Sequence, residues 1–167
     1  MRLISAGAIT LMSLAACDAA KRSQAVGAPA PLSAENADSA FKAMDHRHGN
    51  VVGMDPLAMA HRFEPVANGG DIVLERDIHA DLGITQIRSH LLLISRAFKR
   101  GNFTIPGFVH SQTVPGTTIM ADKGDLITYT VEDLPHGGAI RIRTSDPEAL
   151  KAIHSFIAFQ IAEHRTK

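Results

Sequence analysis

Two stretches of the chain alternate apolar with polar residues, and each is followed by an apolar stripe at helical spacing. In Leu126–Val131, the residues Ile127, Tyr129 and Val131 fall on one side. The segment Leu134-Pro135-His136-Gly137-Gly138 then turns the chain, and Ala139–Thr144 returns with Ile140 and Ile142 inward and Arg141 and Arg143 outward. A period of two is that of a half-buried strand. Earlier in the chain, His61–Val66 reads as a strand, Asn68-Gly69-Gly70 as a turn and Asp71–Arg76 as the returning strand. Both pairs read as hairpins whose glycines suit the tight turn.

The helical stripes follow directly. Ile84, Ile87, Leu91, Ile94 and Phe98 step by three or four residues down one face, the spacing of an amphipathic helix. Arg96, Lys99 and Arg100 fill its last turn, where cations suit the helix dipole, and Gly101 stops it. Leu150, Ile153, Ile157 and Ile161 form the second stripe. Ser145 and Glu148 have the spacing of a capping box at its start, with Pro147 in the first turn. The order strand, strand, helix thus occurs twice, over about residues 60–101 and 125–167. This predicts an α+β, two-layer domain: one antiparallel four-stranded sheet with two helices on one face, built from pseudo-repeated ββα units.

The remaining segments carry weaker patterns. Residues 102–124 contain Pro106, Gly107, Pro115 and Gly116 and read as an ordered loop with a short strand over Thr117–Ala121. Asp45-His46-Arg47-His48-Gly49-Asn50 reads as a polar loop opening the domain, which is expected to span 45–167. A short helix over Ala34–Met44, capped by Ser33, precedes it. Residues 17–44 are otherwise rich in Ala, Ser and Pro, with Ala28-Pro29-Ala30-Pro31 at the centre, the composition of a semi-stiff tether.

The first residues read as an address. Met1-Arg2 is followed by twelve apolar-rich residues, Leu3–Leu14, and then by Ala15-Ala16-Cys17. A charged start, a short apolar run and small residues before a cut site make a secretory signal. Twelve residues fall short of the about 20 needed to span a bilayer. Leu14-Ala15-Ala16-Cys17 resembles the lipobox of bacterial lipoproteins. The resemblance implies removal of residues 1–16, lipid on Cys17, and residence on the periplasmic side of the cell envelope. Asp18 follows the cysteine, which in enterobacterial lipoproteins favours the inner membrane. Cys17 is the only cysteine, so the remaining chain has no thiol for a disulfide or a thiolate site.

Charge narrows the partners. Lys and Arg number 17, as do Asp and Glu, and losing Arg2 with the leader leaves 16 against 17. No basic stripe points to nucleic acid and no polybasic run to anionic lipid, so lipid on Cys17 is the expected membrane contact. With no Trp, one Tyr and seven Phe, the core must be mostly aliphatic. Nine histidines are the one unusual chemical resource.

The histidines divide into two candidate metal sets. His90 and His154 each border a helical stripe, His164 extends the second, and His110 leaves the first helix on a loop. If the helices pack side by side, His90, His110 and His154 converge. Neutral imidazoles bind Zn, Cu, Ni or haem iron; hydrogen-bonded histidines at a helix interface are the alternative. The second set is Met44, His46, His48, Met54 and Met59, the composition of soft-metal, especially copper, sites. It equally fits a solvated linker. Arg88, beside Gln86 and His90, offers a cation for an anionic ligand or an ion pair with Asp77 or Asp81. His61, His79 and His136 read as plain polar residues at strand ends or turns.

Ile87-Arg88-Ser89-His90-Leu91, with Ile94, Phe98, Gly101, Phe103, Pro106, His110 and Pro115-Gly116, resembles an uncharacterised family of small exported bacterial lipoprotein-like proteins. Asp133-Leu134-Pro135, Gly137, Asp146-Pro147, His154 and His164 continue the match, over residues 60–165. Some members carry the label aspartate carbamoyltransferase. This chain lacks the Ser-Thr-Arg-Thr phosphate motif and is too short for two ligand-binding domains, and it has Val114 where members have Met before Pro-Gly.

No nucleophile elbow, His-Glu-x-x-His motif, phosphate loop or dinucleotide fingerprint is present, and no catalytic residue set is identified. The leading expectation is a lipid-anchored envelope domain binding a metal, Zn or Cu, or a small ligand through histidines. The alternative is an envelope protein-protein interaction module with structural histidines. An enzyme of unrecognised type would need polar groups converging in a pocket.

Overall fold

The computed structural model describes residues 34–53, 59–76 and 81–166. All belong to the second of two units into which the chain divides, Leu32–Lys167. Residues 1–16, Cys17, Asp18, Met54 and His79 lie outside the described residues. Helix α1 spans Ala34–Val52, strand β1 Met59–Val66, strand β2 Gly69–Arg76 and helix α2 Asp81–Lys99. Short helices α3, Thr104–His110, and α4, Thr117–Asp122, lead to strands β3, Ile127–Leu134, and β4, Gly137–Thr144, and to helix α5, Pro147–Glu163. Among the described residues no helix is long and apolar enough to cross a membrane.

The four strands form one antiparallel sheet in the order β1-β2-β4-β3. Each hairpin closes with two residues, pairing Val66 with Gly69 and Leu134 with Gly137. The hairpins join through their second strands, with Ile72 opposite Ile140 at the centre. On either side of that pair the register is symmetric: Gly70 faces Ile142, and Gly138 faces Leu74. The two ββα repeats therefore meet about a pseudo-twofold axis.

The helices cross over between the units. Helix α2 lies on β3 and β4, and α5 lies on β1 and β2. Each is seated over the glycine of the other unit's second strand. A Cβ on Gly70 would sit 2.6 Å from Cγ1 of Ile157, and one on Gly138 would sit 2.9 Å from Cδ1 of Leu91. The missing side chains let helix and sheet approach. Between the layers lie Ile87, Leu91 and Phe98 of α2, Ile153, Phe156 and Ile157 of α5, and Leu74, Ile140 and Ile142 of the sheet, all buried. Phe98 and Phe156 meet edge to face at 5.8 Å, a geometry that adds to their burial. Each large side chain buried here contributes about 1.5–3 kcal/mol.

Three local expectations need correction. The polar loop over Asp45–Asn50 is helical and continues α1. Met44 and His48 are buried and Phe41 half-buried, at steps of three and four, so the polar residues are the solvent side of an amphipathic helix. This helix begins within the span read as tether. The 102–124 segment holds two short helices, α3 and α4, joined by turns at 111–116, and Thr117–Ala121 is helical rather than a strand. Thr117 and Met120 are buried three residues apart, which is a helical face, and packing overrides the β preference of Thr and Ile. Helix α5 is capped by Asp146, not Ser145: its carboxylate accepts from the backbone N–H groups of Glu148, at 3.1 Å, and Ala149, at 2.8 Å. Pro147 opens the helix, which makes the residue before it the cap.

Gly70→Val should push α5 off β1 and β2. The expected loss is about 2 kcal/mol, within the usual range for overpacking, read as a lower urea midpoint at unchanged m-value. An unchanged midpoint would contradict the close seating of α5.

Candidate metal centre

Five histidines from five elements meet at one end of the domain. They are His48 on α1, His61 on β1, His90 on α2, His110 at the end of α3, and His164 at the end of α5. Together they line a cavity of about 70 Å³ whose other walls include Phe63, Leu74, Ile94, Phe98 and Phe156. That is room for an ion and a few waters; sites for drug-sized ligands run to about 300–1,000 Å³.

Local sequence explains three of these arrivals. In β1, Met59, His61 and Phe63 alternate inward while Ala60 and Arg62 are exposed. In α1, His48 lies one turn beyond buried Met44. In α5 the buried face is Ala149, Ala152, Ile153, Phe156, Ile157 and Gln160. One more turn along it is His164, whose N–H caps the helix on the Gln160 carbonyl at 3.0 Å. Because α5 crosses onto the first hairpin, His164 comes to rest beside His61.

Three of the five are close enough to share an ion. One ring nitrogen from each of His48, His61 and His164 lies within 4.8 Å of the others. The Nε2 atoms of His48 and His61 are 3.3 Å apart, long for a hydrogen bond. With Zn–N bonds of 2.0–2.1 Å, ligand nitrogens at the corners of a tetrahedron are about 3.3–3.4 Å apart. The ring centres are separated by 4.4 Å (His48–His61), 5.1 Å (His61–His164) and 5.6 Å (His48–His164). Imidazoles bound to one such ion sit about 5 Å apart centre to centre.

The surroundings keep these rings neutral. Burial lowers the pKa of His48 to about 4, with like charge on His90 and His110 adding to the effect. Burial lowers His90 to about 4 and His164 to about 3, the latter helped by His48 and His110. His61 is held well below its usual value by burial and by its three histidine neighbours. His110 is lowered by burial, partly offset by Gln160 and Glu163. Near neutral pH each ring therefore offers a lone pair to a metal instead of a charge. Two polar atoms of the cluster, Nδ1 of His48 and Nδ1 of His110, are buried with no hydrogen-bond partner. An unpaired buried polar atom costs about 1–3 kcal/mol.

The expected residues are thus partly regrouped. His90, His110 and His164 lie at one cavity, as does His48 from the second set. His154 does not line it; its Nε2 hydrogen-bonds the Val66 carbonyl at 2.9 Å. Reading the stripe as Leu150, Ile153, Ile157 and Ile161 overlooked Ala149, Ala152 and Phe156, and so rotated the face toward His154. His46 is exposed beside Asn50, two residues and about 200° around α1 from His48. Met44 is buried on the His48 face, and Met59 is buried in the core; neither lines the cavity. His61, read as a plain polar residue, is a central member. Its signal was the inward alternation with Met59 and Phe63.

Arg88 serves the fold. Its Nε and Nη2 donate to the carbonyls of Gly137, at 3.0 Å, and Leu134, at 2.8 Å. Nη1 lies 3.5 Å from the Asp133 carboxylate; Asp77 and the Asp81 side chain, the expected partners, lie outside the described residues. Arg88 ties α2 to the β3–β4 turn and has its donors engaged there.

No family model matches the chain, and neither does any curated protein or solved structure.

Two measurements follow from these environments. In the unfolded chain each histidine takes up a proton near pH 6.5, and in the fold His48, His90 and His164 do so only near pH 3–4. The unfolded state then binds more protons between those limits. Stability is complete above about pH 6.5 and falls with acid, by up to about 1.4 kcal/mol per pH unit for each histidine. Urea titrations from pH 7 to 4 should show this fall, and His90→Leu should remove about one proton from the slope. A flat profile would refute the neutral cluster. Arg88→Met should cost about 1–3 kcal/mol by freeing the Leu134 and Gly137 carbonyls. It should leave metal uptake unchanged, as equilibrium dialysis would show.

Proposed function

We propose that this protein is a histidine-based metal-binding domain of the bacterial cell envelope, tethered by lipid on Cys17. The observation that carries the reading is the convergence of His48, His61 and His164 from three separate elements, with a ring nitrogen from each within 4.8 Å of the others. Uncharged imidazoles suit a borderline ion such as Zn²⁺ or Cu²⁺. The small cavity supports an ion over an organic ligand. The leader-like segment, Leu3–Leu14 followed by Leu14-Ala15-Ala16-Cys17, supports export and anchoring.

The site is built from elements distant in sequence, so a bound ion would link α1, β1 and the end of α5. Any ligand that binds only the folded state adds to stability in proportion to the logarithm of its concentration over Kd. The Glu163 carboxylate, 3.8 Å from Nδ1 of His110, is a nearby negative charge for a dication.

Untagged protein purified from its own envelope should retain about one equivalent of Zn or Cu after dialysis, measured by elemental analysis, because three neutral ligands favour such an ion. His48→Ala and His61→Ala should each weaken binding on the order of 100-fold, equivalent to about 2.7 kcal/mol. His154→Ala should bind as the natural protein does. A natural protein that holds neither ion would overturn the reading and leave the histidines structural.

A further inference from the structure

Three histidines leave a tetrahedral ion one position short. Two further rings, His90 and His110, reach the same cavity. They differ in how their nitrogens are committed. The His110 side chain is 1% exposed. Its Nε2 lies 3.1 Å from Oε1 of Gln160, itself buried. A carboxamide oxygen only accepts, so Nε2 of His110 carries the proton and donates. Nδ1 is then a bare lone pair, and it has no hydrogen-bond partner. The Glu163 carboxylate, at 3.8 Å, is too far to supply one. The His110 ring stands 5.2 Å from that of His164 and perpendicular to it, within the 4.4–5.6 Å range of the other three pairs. His90, by contrast, is 6.2 Å from His48.

Resting on the metal reading above, we propose that His110 supplies the fourth ligand through Nδ1, and that Gln160 is the positioning residue that keeps that nitrogen free of its proton. The set His48, His61, His110 and His164 is a closed four-imidazole site. Closed sites hold an ion, whereas sites that act on substrates keep one position open to water. Ligating histidines commonly donate their second N–H to an acceptor that fixes ring and tautomer, and Gln160 does this for His110. His110 stands outside the triangle formed by the other three ligand atoms. Completing the site therefore requires an inward shift of α3, which is only seven residues long, with the Gln160 hydrogen bond kept.

Co²⁺ is the probe, because a tetrahedral Co²⁺ site absorbs visible light far more strongly than one of higher coordination number. The untagged natural protein titrated with Co²⁺ should develop the intense tetrahedral bands at one equivalent. His110→Ala and Gln160→Leu should still bind, but about 10–100-fold more weakly, as for the loss of an orienting partner, and without those bands. Gln160→Glu, which keeps the acceptor oxygen, should restore both, and His90→Ala should match the natural protein. Circular dichroism identifies any variant that fails to fold, and Gln160→Leu and Gln160→Glu together decide the matter if His110→Ala does. A His110→Ala or Gln160→Leu protein with unchanged affinity and spectrum overturns this inference alone. A natural protein that binds no Co²⁺ overturns the metal reading and this inference with it.

Discussion

The pairing of β2 with β4 about Ile72 and Ile140 is the constraint on which the rest depends. It joins two hairpins that would each be too small to bury a core alone. It also sets Gly70 and Gly138 where the helix of the other unit must lie closest. The exchange of helices ties the two repeats together, since each helix packs chiefly on the other repeat's hairpin. It has a chemical consequence as well: the end of α5 falls over β1, and His164 meets His61.

The histidine cluster stands at the cost of some of this stability. Five imidazoles sit against an apolar wall of Phe, Leu and Ile side chains. Burial disfavours the charged ring by several pH units for the most affected members. Apolar side chains of similar volume would pack there without leaving Nδ1 of His48 and Nδ1 of His110 unpaired. Such local departures from a good core are expected at functional or strained sites. Other buried polar groups of the sheet divide: the Tyr129 hydroxyl and Nε of Arg76 have no hydrogen-bond partner, whereas the Asp71 carboxylate is matched. Asp71 lies between Arg141 and Arg143, which both bond its carboxylate.

Helix α1 shows how a site is assembled from marginal pieces. Among its polar contacts, Nε of Arg47 donates to the Val109 carbonyl at 2.7 Å, and Arg165 bonds Asp38 at 2.9 Å and covers the Phe41 ring at 4.3 Å. Among the described side chains of α1, Met44 and His48 are buried. A ligand shared by His48 and residues of the main body would couple the docking of this helix to binding.

Period and punctuation determined the two ββα repeats here. Alternation at Ile127–Val131 and Ala139–Thr144, glycine turns, and three-and-four spacing from Ile84 to Phe98 are local properties, and each constrains the backbone where it stands. They suffice for four strands, two principal helices and an α+β class. Tertiary structure decided which histidines meet. The rotation of α5 depends on Ala149 and Ala152 being buried, which a small residue does not announce. The helical state of His48 depends on Phe41 and Met44 finding the body of the domain. The place of His61 depends on a helix donated by the other repeat. A side chain's partners are set by packing across long sequence separations, and no local pattern encodes that distance.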